Sequence, residues 1–186
     1  MPIATAIADL TQAEVFPLIR SGGLFLIVAG ISIVLGAFFF RVRYPIFGVG
    51  AAVAGGLTVV YAMPLAAPYG APSLVQIASL GIAVALEMIL LVRILRVRRS
   101  ADDREMMLSI LTIVGAHFVL MSPAFGPLMM VLAGASVLNV FLALVMRTYP
   151  SPLVWAVDGA LKGGVGVLMF YGHQIPCTMC LSWSVP

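Results

Sequence analysis

"SLVQIASLGIAVALEMILLV", residues 73–92, runs directly into "RILRVRRSADDRE", residues 93–105. The first stretch carries Gln76 near its start and Glu87 toward its end; everything else in it is apolar or small. About 20 residues of this kind make a helix long enough to cross a hydrocarbon layer roughly 30 Å thick. The second stretch supplies the stop, because arginines resist entry into lipid. Reading 73–92 as a bilayer-crossing helix decides the rest, since the same pattern recurs over 21–40, 44–67, 106–121, 127–146 and 152–172, the span at 106–121 being the shortest. The expected fold is an all-α integral membrane protein, a bundle of six transmembrane helices with short loops.

Composition agrees with that reading: 62% of the 186 residues are hydrophobic and only 9% charged, against roughly half and a quarter in soluble domains. Between the spans there are only turns, such as "APYGAP", "SPAFGP" and "RTYPSP", whose prolines suit helix ends. No soluble domain fits between them. Residues 21–172 therefore form the membrane domain, flanked by segment 1–20 and tail 173–186. Segment 1–20 lacks the basic start and apolar centre of a secretory signal. Ile3, Ile7 and Leu10 recur there at helical spacing, so it reads either as a short helix at the bilayer surface or as a frayed end.

Six crossings put both termini on one side, where Arg20 is the sole basic residue; the other side collects Arg41, Arg43, Arg93, Arg96, Arg98, Arg99, Arg104 and Arg147. Basic residues in short loops stay in the cytoplasm, which places the arginine-rich loop 93–104 inside and both termini outside. In a bacterial host this is the inner membrane, with termini in the periplasm. The net charge of +3 is then an orientation signal, and no nucleic-acid partner is expected, because no aromatic residues alternate with the arginines. The bilayer is the expected partner.

Polar residues inside the spans carry the functional information. They are Glu87, His117 in "GAHF", Asn139 in "SVLNVFLA", and Asp158 with Lys162 in "VDGALKGG". An Asp or Lys at a helix centre costs about 2.5 to 3.5 kcal/mol on insertion scales, so such side chains turn inward and find partners. At a rise of about 1.5 Å per residue, Glu87, Asn139 and Asp158 lie roughly 9 to 12 Å from the arginine-side ends of their helices, and His117 and Lys162 one to two turns deeper. Five groups from four helices share one slab. Asp158 and Lys162, at i and i+4, share a face in the favourable acid-first order. One reading is plain helix adhesion, each bond being worth roughly 0.6 kcal/mol. The other is a buried site that binds, senses or transports a proton or a small polar or anionic ligand.

"GAHF", Asn139 in the next span and "VDGALKGGVGVL" resemble a bacterial family of uncharacterised small multi-pass membrane proteins, a domain of unknown function, over about 104–170. The resemblance implies a compact helical membrane fold in which His117, Asn139, Asp158 and Lys162 belong together. It implies no activity.

Two further readings stay open. Small residues spaced by four, Gly50 with Ala54, Ala51 with Gly55, Ala52 with Gly56 and Gly159 with Gly163, let helices approach closely and would suit an accessory subunit docked on partner helices. Cys177 and Cys180, the chain's two cysteines, stand in Cys-x-x-Cys spacing past the last span. They read as a structural disulfide, as free thiols, or as the redox pair of a membrane thiol-disulfide oxidoreductase. His173 is too isolated to complete a zinc site with them. No metal or other cofactor is expected, and no phosphate loop, nucleophile elbow or metalloprotease motif occurs. An enzyme is the less favoured class.

Overall fold

The computed structural model describes residues 16–97 and 102–171, all of whose regular structure is helical. The helices are α1 (Ile19–Phe38), α2 (Arg43–Ala66), α3 (Leu74–Val97), α4 (Asp103–Ala116), α5 (Phe118–Phe125), α6 (Leu128–Val145) and α7 (Ser151–Phe170). With α4 and α5 taken as the single run Asp103–Phe125, six helical stretches are long and apolar enough to cross a membrane. Short 3-10 turns, Phe40–Val42 and Ala67–Tyr69, link α1 to α2 and lead out of α2.

Three boundaries differ from the sequence reading, each for a physical reason. The fourth stretch is not the shortest: it spans 23 residues, and the 18-residue α6 is the shorter one. Its start lies earlier because Asp103 and Glu105 fall in the first turn, where acids complement the helix dipole. Helix α3 continues through Arg93 and Arg96 to Val97, so 93–97 is helix and not loop; long arginine stems let a helix end beyond its apolar stretch. Pro64 and Pro123 lie inside helices. Pro123 has no N–H for the carbonyl of Val119, and the Ser122 hydroxyl donates to that oxygen at 2.9 Å, replacing the missing bond. The turn after α5 is thereby reduced to Gly126 and Pro127, with Gly126 at φ 94°, a conformation that glycine adopts without penalty.

Helix α1 packs most extensively on α7 and also on α2; α6 packs on α7, α4 and α5; α3 packs on α5 and α4. α2 and α3 are the outer helices, each with only 6% of its apolar window buried. The α1–α7 contact is backbone against backbone. A Cβ at Gly30 would lie 2.5 Å from the Gly163 nitrogen, and one at Gly23 2.5 Å from the Phe170 nitrogen. Gly159 and Gly166 meet α1 in the same way. On α2, Gly50 faces α1 at Ser32, whereas Gly55 and Gly56 face open space.

Two apolar clusters stack along the bundle. One holds Trp155, Val154, Leu111, Val140 and Ile33; the other holds Leu26, Phe118, Leu132, Met129 and Met169. On α6 and α7 the residues between the two sets include Ser136 and Asp158, both fully buried. Ser136 and Asp158 thus lie at a seam between two greasy layers.

Candidate functional site: a buried two-acid, two-base cluster

Helix α7 brings Asp158 and Lys162 one turn apart, and the ammonium is hydrogen-bonded to Oδ2 of Asp158. Both residues are buried, at 0% and 1% exposure. The second carboxylate oxygen, Oδ1, is buried with no hydrogen-bond partner among the described residues. A buried pair of this kind is seldom retained for stability alone, since an apolar pair of the same volume often does as well.

Helix α4 ends at Ala116, and His117 forms the joint before α5. In an uninterrupted helix the Val114 carbonyl is reserved for the N–H of residue 118. Here it lies 2.6 Å from Nδ1 of His117. Nε2 of the same ring stands 3.4 Å from Oε2 of Glu87 on α3. His117 is buried and Glu87 retains 17% side-chain exposure. The Nζ of Lys162 lies 5.6 Å from the centre of the Phe118 ring, and that ring lies 4.3 Å from the His117 ring at a tilt of 37°.

The chemistry of this arrangement follows from what each atom can do. A carbonyl oxygen only accepts, so Nδ1 carries a proton. A neutral imidazole then turns the lone pair of Nε2 toward Glu87, and a carboxylate there would also present a lone pair. A proton placed on Nε2 or on Oε2 would relieve that opposition of lone pairs. Either placement leaves the four side chains with zero net charge, since the Asp158–Lys162 pair already cancels, and a neutral cluster is what a low-dielectric interior favours.

Asn139 binds the backbone of the neighbouring helix. Its amide donates to the Val154 carbonyl at 2.9 Å, tying α6 to α7 one turn before Asp158. One turn of α6 in the opposite chain direction places Ser136 at about the level of Asp158, and its hydroxyl too is buried with no partner among the described residues. Sequence reading passed over Ser136 because a hydroxyl in a span is unremarkable; its spacing of three from Asn139 was the available signal. Arg43, which by position in the sequence reads as an orientation charge, has a structural place as well. Arg43 is 3% exposed, ion-paired to Asp103 at the head of α4, and bonded to the Phe40 carbonyl at 2.8 Å and the Tyr44 hydroxyl at 3.0 Å. Tyr44 and Phe47 hold Trp155 edge-on between them, each at 6.0 Å. Cys177, Cys180 and His173 lie outside the described residues, as does segment 1–15. Among the described residues no three His, Cys, Asp or Glu gather as metal ligands.

The profile of a family of unknown function matches residues 10–177. The match takes in the Glu87 helix and all five candidate residues, well beyond the 104–170 on which the resemblance rested. No curated protein and no solved structure matches the chain.

Proposed function

This chain belongs to the DUF6609 family of unknown function, and we propose that it is a multi-pass membrane protein whose Glu87, His117, Asp158 and Lys162 bind and exchange protons within the bilayer. The contact between Nε2 of His117 and Oε2 of Glu87 carries the reading, because the proton between those atoms can sit on either of two helices. The Val114 carbonyl at Nδ1 of His117 supports it, since that contact fixes which ring nitrogen faces Glu87. Asp158 and Lys162 hold a compensating charge pair beside the exchangeable proton. Asn139 positions α7 and does not take part. The arginine-rich end faces the cytoplasm and the termini face outward, in a bacterium the periplasm.

The test is proton movement into proteoliposomes carrying pyranine, driven by a potassium diffusion potential set with valinomycin. Wild-type protein is expected to acidify the lumen, and Glu87→Gln is expected to abolish the signal while remaining folded. A wild-type protein that moves no protons, and whose melting temperature between pH 5 and 8 follows the same curve as that of Glu87→Gln, would falsify the proposal.

A second reading rests on Gly48, Gly55 and Gly56 of α2, which face open space and would admit a partner helix at close range. In that case the chain is an accessory subunit, and it should co-purify with a larger complex from mildly solubilised membranes.

A further inference from the structure

The outer helix α3 presents an open face formed by Met88, Ile89, Val92, Arg93, Arg96 and Val97. These residues form two adjacent i, i+4 rows, 88/92/96 and 89/93/97, that run side by side along the helix. Each row is apolar toward the middle of the span, and arginine appears only in its last two turns. Met88, Ile89, Val92 and Val97 are 41 to 74% exposed, and neither arginine is paired with a described residue.

We propose that this face is a binding site for an anionic phospholipid, with the phosphate on Arg93 and Arg96 and the first part of an acyl chain along Met88, Ile89 and Val92. The order of the lining matches the order of the ligand. Met88 and Arg96 are eight residues apart, about 12 Å along the axis, the distance over which a lipid changes from charged headgroup to hydrocarbon. Two guanidinium groups offset by three residues sit within one turn of each other and can fork onto one phosphate. A soluble anion would satisfy the arginines and leave the apolar rows bare; a partner helix would cover those rows and leave two cations unneutralised. An anionic lipid satisfies both. The site depends on α3 lying in a bilayer and is independent of proton exchange.

The experiment is native mass spectrometry of the full chain released from detergent micelles containing equal amounts of phosphatidylglycerol and phosphatidylcholine. Wild-type protein is expected to retain phosphatidylglycerol at least tenfold over phosphatidylcholine. Arg93→Gln with Arg96→Gln is expected to remove the preference, whereas Arg41→Gln with Arg147→Gln, at the same end of the bundle, is expected to keep it. Val92→Trp leaves both charges but places a bulky ring where the acyl chain would lie, and it too should lose the preference. A preference that survives Val92→Trp, or that falls equally with Arg41 and Arg147, means a general positive surface and overturns the site. Equal competition by soluble glycerol phosphate overturns it as well. Glu87→Gln should leave lipid retention unchanged, so the two proposals fail separately.

Discussion

Placing a single methyl group at residue 30 tests the packing on which the whole bundle depends. In Gly30→Ala the new Cβ would stand 2.5 Å from the Gly163 nitrogen, 2.7 Å from the Gly159 carbonyl oxygen and 2.8 Å from the Gly163 Cα. All three are backbone atoms of α7, so no side-chain rotation relieves the overlap. Restoring an ordinary contact of about 3.4 Å requires the helices to part by about 0.9 Å. A gap of that size forfeits a quarter to a half of the dispersion energy of the atoms lining it, and overpacking of this kind typically costs about 1 to 3 kcal/mol. The upper half of that range is expected here, since α1 and α7 form the most extensive helix pair in the bundle. Gly56→Ala and Gly81→Ala meet nothing within 4 Å and should gain up to about 1 kcal/mol from helix propensity. Gly163→Ala is expected to be tolerated as well, although its backbone lies in the interface, because its own Cβ meets nothing within 4 Å. The assay is unfolding in mixed micelles by titration with sodium dodecyl sulfate, followed by circular dichroism. If Gly30→Ala proves as stable as Gly56→Ala, the backbone-to-backbone account of the α1–α7 contact is wrong.

Three further outcomes can be checked with the same unfolding assay. Asp158→Asn or Lys162→Met alone leaves a charge buried without its partner and should cost about 3 to 5 kcal/mol, whereas the double variant should recover most of that loss. Arg43→Gln should cost about 2 kcal/mol through two strong donor contacts, while Asp103→Asn, whose side chain is 57% exposed, should cost no more than about 1 kcal/mol; equal costs would mean that the ion pair, and not the burial of Arg43, matters. Asn139→Ala should lose about 0.6 to 1.7 kcal/mol and leave proton movement intact, which distinguishes a tie between helices from a member of the proton site.

The membrane-length stretches were legible because apolar runs and arginine stops are averages over many residues, insensitive to any one contact. The Asp158–Lys162 pair was legible for a different reason: helical periodicity alone places i and i+4 together. The Glu87–His117 contact needed the relative rotation of α3 and α4, and no local pattern encodes that. The joint at His117 was hidden because phenylalanine, valine and leucine continue the apolar pattern straight through it. Arg43 misled by position: at the start of a span an arginine reads as solvated, yet Phe40 and Tyr44 place their rings 3.7 and 4.3 Å from its guanidinium carbon and make a pocket for it. Of the small-residue pairs on α2, Gly50 and Ala54 face inward while Gly55 and Gly56 do not, a distinction that spacing by four leaves open.

Trp155, held between Tyr44 and Phe47 with its indole nitrogen buried and unbonded among the described residues, stands one turn from Asp158. Replacing Trp183 would leave it as the chain's sole indole fluorophore. Its excited-state dipole would then sense the electric field at the heart of the protein, so that emission colour alone could report, in real time and without an added label, when a charge arrives beside it or leaves.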